Sequence, residues 1–323
     1  MKVLGLVFFV IASIIGAGFA SGKEIATYFC RFGFLAIPSI FMTGVVLFVL
    51  IKHCLMIGKN SDNFHIAKGY KVLLYSTLLF LGGSMLAGNE LLGSMLKIPC
   101  INLITLVVSG LFVHIGMKSI KRLNFVVSPI IYTCIIVLVI SGLSHIGTSV
   151  NIPIQNTPII SLINVAGYIS FNFLLVAMYL IQIGKNYTDR EIKLASVLSS
   201  VFIVVLILII AFVIMFSKTD IYSSEMPLIT FAFSISKVLG YAMLIVVWFG
   251  LLTSLLSCLN SMLMLSKSVI KKPLTNLLAN LALIFLISRL GFSIIVRYVY
   301  LVAGLVGLIF VYKIIKYKCI EIK

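Results

Sequence analysis

Residues 14–24 read Ile-Ile-Gly-Ala-Gly-Phe-Ala-Ser-Gly-Lys-Glu. Gly16, Gly18 and Gly22 fall, with Ser21, inside an otherwise apolar run that begins at Val3. Each glycine costs a helix about 1 kcal/mol relative to alanine, so three in such close order favour local unwinding. Unwound backbone within a bilayer persists only where it lines a cavity or is buried in protein. Such a break frees N–H groups on one half-helix and C=O groups on the other, with opposite partial charges. An anionic substrate group and a cation can then be held at mid-membrane. Gly18 and Gly22 also form a GxxxG pair, so close helix packing is a competing reading. Lys23 and Glu24 follow at once, and two ionisable groups deep in a span are costly unless paired or hydrated. Packing alone needs neither; a structural ion pair, between them or with Glu90, is the bland alternative.

The surrounding chain fits a membrane setting. Its 323 residues are 62% hydrophobic and 10% charged, against about 25% charged in an average soluble domain. So few charges cannot build a water-facing shell, and lipid must supply most of the solvent. Apolar stretches fall at about 3–30, 34–57, 71–96, 99–117, 123–143, 160–183, 192–217, 228–266, 274–289 and 291–315. A span needs about 20 residues to cross ~30 Å of hydrocarbon. Lys2, the apolar run and Ala17-Gly18-Phe19-Ala20 imitate a signal peptide, but the apolar pattern continues past them, so this segment reads as the first span. In a soluble protein a net charge of +17 would suggest a nucleic-acid partner. Here the basic residues cluster between apolar runs, as cytoplasmic loops do. With both termini inside, eighteen lysines and arginines fall on the inner side and four on the outer. The expectation is a multi-pass cell-membrane protein with cytoplasmic termini, whose partners are the lipid bilayer and a small molecule, not nucleic acid.

Five spans precede the charge-poor segment 144–159 and five follow it. Span one enters from inside and span six from outside, so 1–145 and 155–318 would form two five-helix repeats of opposite topology. The expected fold class is an all-α polytopic membrane protein of about ten transmembrane helices, a 5+5 inverted repeat with helices one and six broken. The matching break in span six is expected at Gly167, which opens Gly-Tyr-Ile-Ser-Phe-Asn-Phe over 167–173. Ser170, Phe171 and Asn172 then join Gly16, Ala17, Gly18, Ser21 and Gly22 as substrate-binding candidates, with Tyr168 and Phe173 able to wall a pocket. Ordinary helix packing explains such a patch equally well.

Span eight carries Gly250, Thr253 and Ser254. Such hydroxyls often bond to their own helix carbonyls. Aimed at a broken helix, they could instead ligate sodium, a hard cation that favours oxygen as Ca²⁺ and Mg²⁺ do. A P-loop would need glycine at 17 and serine or threonine at 24, where the chain has Ala17 and Glu24. The six cysteines are scattered, without a CxxC. With no catalytic carboxylate pair, His or Cys cluster or nucleotide motif, neither an enzyme nor a cofactor is expected.

Residues 15–24, Ile-Gly-Ala-Gly-Phe-Ala-Ser-Gly-Lys-Glu, resemble the first helix of the YkvI-like membrane proteins of low-GC bacteria, in the amino acid–polyamine–organocation superfamily. The resemblance implies the fold of the bacterial leucine transporter, with helices one and six broken around a central substrate. It implies a sodium ion between the carbonyls of Gly16, Phe19 and Gly250 and the hydroxyls of Thr253 and Ser254. It also implies a substrate carboxylate on the backbone N–H groups of Gly18 to Gly22. Lys23 departs from the glutamine expected there. An ammonium at the break would repel sodium or replace it, because buried lysines shift readily toward neutrality. Proton coupling through Lys23, Glu24 or Glu90 therefore stands beside sodium coupling. Glu90 reads as a gate or proton site, or as an interfacial carboxylate bonded to Lys97 or Lys237. The function implied is ion-coupled secondary transport of an amino acid or amine. The alternative on the same scaffold is a germinant-receptor-type sensor that binds solute without transport.

Overall fold

The computed structural model describes residues 2–14, 17–60, 68–150, 152–154 and 157–321. The described chain is helical, with one isolated bridge between Ile146 and Ser217. Its helices are α1 (Lys2–Ile14), α2 (Ala17–Ala20), α3 (Lys23–Tyr28), α4 (Ala36–Asn60), α5 (Lys68–Leu96), α6 (Ile101–Ile115) and α7 (Met117–Ser141). After the charge-poor segment come α8 (Pro158–Ile183), α9 (Asp189–Phe216), α10 (Pro227–Ile235), α11 (Lys237–Ser266), α12 (Pro273–Ser288) and α13 (Phe292–Glu321). Local chemistry sets several starts. Thr188 and Glu191 form a reciprocal capping box on α9, and Ser236 caps α11. Prolines open α8, α10 and α12, where the missing N–H costs nothing.

Polarity is arranged for lipid. Val45, Val107, Ile140, Ile163, Leu286 and Leu305 are each more than half exposed, while Ser13, Thr43, Ser84, Asn89, Thr105 and Ser109 are buried. Apolar surface on this scale would form an aggregation-prone patch in water. Facing acyl chains it costs nothing, and the hydroxyls inside bond mostly to carbonyls of their own helices, as Thr43 does to Ser39 and Ser109 to Thr105. Six of the described helical segments are long and apolar enough to cross a membrane unaided. The first span is assembled from α1, α2 and α3.

Two expectations need correction. The apolar stretch 228–266 is two helices, α10 and α11, because Ser236 is extended (φ −161°, ψ 153°) and starts a new helix. Helix six, α8, runs unbroken from Pro158 to Ile183. Its polar residues feed their own helix: Ser170 Oγ donates to the Ala166 carbonyl at 2.6 Å and Asn172 Nδ2 to the Tyr168 carbonyl at 3.1 Å. Gly304 of α13 packs on Gly167, since a Cβ on Gly304 would stand 3.2 Å from the Gly167 Cα, while a Cβ on Gly167 itself would meet nothing within 4 Å. One turn on, a Cβ on Gly307 would lie 2.5 Å from the Ser170 carbonyl oxygen. Gly307→Ala must therefore part α13 from α8, an overpacking cost of about 1–3 kcal/mol. Its apparent thermal midpoint in detergent should fall by several degrees. Gly5→Ala, where nothing lies within 4 Å, should leave it unchanged.

Candidate functional site

The first span is interrupted where its glycines suggested. α1 ends at Ile14, and α2 and α3 are separated by Ser21 and Gly22. Gly22 is left-handed (φ 83°, ψ −5°), a conformation that side-chain-bearing residues adopt only with strain. The turn satisfies much of its own backbone. The Gly22 N–H donates to the Phe19 carbonyl at 3.0 Å, and the Lys23 N–H to Ser21 Oγ at 3.4 Å. Ser21 Oγ donates in turn to the Gly18 carbonyl at 3.3 Å. From outside the span, the Leu228 N–H of α10 donates to the Ser21 carbonyl at 2.9 Å, so this short helix rests directly on the break. Gly16 lies outside the described residues, and of Ala17 only its place at the start of α2 is described.

The two charges after the break turn apart. Lys23 Nζ donates to the Ser224 carbonyl at 2.8 Å, with Glu225 close by. Its ammonium thus ties α3 to the segment before α10 and does not stand inside the break. Glu24 folds inward instead and is 5% exposed. Its carboxyl lies so close over Gly18 that a Cβ there would meet Oε1 at 2.3 Å, Cγ at 2.4 Å and Cδ at 2.6 Å. Asn172 of α8 faces the same carboxyl, while Oε2 has no hydrogen-bond partner among the described residues. The Lys23–Glu24 ion pair, the bland alternative, is absent among the described residues.

Aromatic rings close around this carboxylate. Tyr28, Tyr168 and Tyr300 all lie within its electrostatic reach. The Tyr28 ring centroid is 5.7 Å from those of Tyr168 and Phe171, and Phe171 is 4.8 Å from Tyr300. The buried Tyr168 hydroxyl has no partner among the described residues. Phe173 is also buried on α8. Tyr28 was legible in the sequence, because it follows Glu24 by four residues and so shares its helix face. Nothing local marks Tyr300, which α13 carries to the site from the far end of the chain.

A second set of oxygens converges on the end of α1, whose last four carbonyls lack intrahelical partners. Thr253 Oγ1 donates to the Ala12 carbonyl at 3.1 Å and lies 3.1 Å from the Gly250 carbonyl. Ser257 Oγ donates to Ser13 Oγ at 2.8 Å. Ser254 Oγ is buried without a partner among the described residues. Thr253 thus meets helix one at Ala12, one turn earlier than Gly16. The Phe19 carbonyl is taken by the Gly22 N–H. The donors are oxygens, buried and uncharged, which suits a monovalent hard cation.

Glu90 stands apart from both clusters. Its Oε1 is 3.5 Å from Arg289 Nη1 and its Oε2 is 3.5 Å from Asn102 Nδ2, with both charged side chains about half exposed. They line a cavity of about 430 Å³ with Lys97 and Cys100. Its partner is Arg289 rather than Lys97 or Lys237, and it forms no part of the break.

No protein-family model matches the chain. It is 21% identical to the uncharacterized membrane protein YkvI of Bacillus subtilis, over 95% of this chain and 93% of that one. It is 30% identical over 205 residues to YyaD of the same organism, covering 59% of each chain. Among solved structures it resembles Mhp1, a nucleobase-cation-symport-1 family transporter in a closed conformation with bromovinylhydantoin bound. There the TM-score is 0.65 at 12% identity, over 94% of this chain and 74% of that one. The YkvI likeness read from residues 15–24 therefore extends along nearly the whole chain, and the fold is that of the leucine-transporter-like membrane proteins.

Proposed function

We propose that the chain is a secondary active transporter of a small solute, working by ion-coupled alternating access around the break in its first span. One observation carries the reading: a buried carboxylate with an unpartnered oxygen, held at a helix break inside the membrane. A purely structural protein gains nothing from such a group, because an unpaired carboxylate in low dielectric is costly. A solute that binds there offsets the cost only while bound, which is what a transport cycle uses. The two halves, 1–145 and 155–318, would move against each other, with both termini cytoplasmic, an orientation that the lysine and arginine bias supports.

Coupling by sodium is supported by the oxygens at the end of α1: the Ala12 and Gly250 carbonyls with the hydroxyls of Thr253 and Ser254. Proton coupling through Glu24 is the alternative. Lys23 is better read as a tether to the outer segment, given its bond to the Ser224 carbonyl. The test is flux into proteoliposomes with sodium and proton gradients imposed separately. Saturable uptake driven by one of them is expected. No gradient-driven flux of any amine or amino acid would overturn transport, and binding without flux would favour the solute-sensor reading.

A further inference from the structure

We infer that the solute is an organic cation: an amine whose ammonium pairs with Glu24 beside the rings of Tyr28, Tyr168 and Tyr300. This takes the transporter reading as its premise only for movement of the ligand, not for its binding.

The first reason is occupancy. The resemblance places a substrate carboxylate at Gly18 to Gly22, but the chain's own carboxylate is already there. Glu24 Oε1 lies 2.3 Å from where a Gly18 Cβ would be. A second carboxylate would have to share that space and, with Glu24 ionised, would meet like charge in a dry, low-dielectric setting. Of the N–H groups named there, that of Gly22 is already engaged by the Phe19 carbonyl, and that of Lys23 beside it by Ser21 Oγ.

The second reason is unmet demand. Among the described residues Glu24 has no ion pair, and its Oε2 has no hydrogen-bond donor. The nearest cation in sequence, Lys23, is bonded to Ser224 on the outer side. An ammonium brings both the charge and the N–H donors that Oε2 lacks. The buried Tyr168 hydroxyl, likewise without a partner, can accept from the same group.

The third reason is the walls. Tyr28, Tyr168, Phe171 and Tyr300 come from three helices and stand 4.8–5.7 Å apart, centroid to neighbouring centroid. An aromatic face beside a desolvated cation attracts it through its quadrupole. The rings would equally accept the apolar body of the same molecule.

The experiment uses the purified full-length protein and its apparent melting temperature. The probes are n-alkylamines from butylamine to hexylamine, phenethylamine and choline, set against butyrate, hexanoate and leucine at matched ionic strength. At least one amine should stabilise and no carboxylate should. Glu24→Gln should weaken the amine's apparent affinity by at least about tenfold, the loss expected for a charged hydrogen-bond partner. If Glu24→Gln fails to fold, Tyr300→Leu supplies the readout, with a smaller loss of amine affinity through the missing ring. Stabilisation by leucine or a carboxylate, unaltered in these variants, overturns the inference, as does a panel in which no amine acts. The two readings fail separately. Amine binding without flux removes transport and leaves the cation site; leucine flux indifferent to Glu24→Gln does the reverse.

Discussion

Gly18→Ala is expected to reduce solute uptake by more than about tenfold in a protein that still inserts and remains monodisperse. A methyl group at position 18 would overlap three successive atoms of Glu24, at 2.3 to 2.6 Å. The side chain cannot yield by moving only its tip, and its buried setting leaves it little room. The carboxyl must leave the break and lose its place beside Asn172. A charged hydrogen-bonding partner is worth about 1.5–3 kcal/mol, and each 1.4 kcal/mol is about tenfold in affinity. Initial-rate uptake into proteoliposomes checks this, with Gly5→Ala on the same span as the matched control, because nothing lies within 4 Å of its Cβ position. Uptake by Gly18→Ala equal to that control would mean that Glu24 is not held where the solute binds.

Thr253→Ala is expected to remove sodium dependence, raising the sodium concentration for half-maximal uptake at least about tenfold. The Thr253 hydroxyl is the one that reaches across from α11 to the Ala12 carbonyl, at 3.1 Å. Without it the site loses an oxygen ligand, and the end of α1 loses a buried donor, each worth about 1–3 kcal/mol. Thr253→Ser keeps the oxygen and should restore most of the dependence, separating lost ligation from lost packing. Uptake indifferent to sodium in both wild type and Thr253→Ala would move the coupling ion elsewhere, with Glu24 as the proton carrier to test next. Because the Glu24 and Thr253 clusters use different residues, Gly18→Ala should alter apparent solute affinity much more than sodium affinity.

The features legible in the chain were those that arise within one segment. Hydropathy marks where lipid must be, since a span has to satisfy its backbone internally and cover itself with apolar side chains. Three glycines in residues 16–22 mark the first interruption, and Gly22 is the residue found left-handed. The division of 228–266 was missed, although its 39 residues are roughly twice what one crossing needs. Span six misled because its glycine and the polar residues after it read as a break, yet Ser170 and Asn172 bond back to their own helix, and the close crossing of α8 with α13 rests on Gly304 and Gly307.

By itself, then, the sequence determined the membrane class, the helical spans and the place of the first break, all consequences of local composition. Only the tertiary structure decided that Glu24 turns inward while Lys23 turns out, that α8 stays whole, and that Thr253 meets Ala12. The physical reason is range. Thr253 and Ala12 are 241 residues apart, and Lys23 and Ser224 are 201 apart. The register between such segments depends on which small residues let two helices approach, a property of the assembled pair that neither helix carries alone.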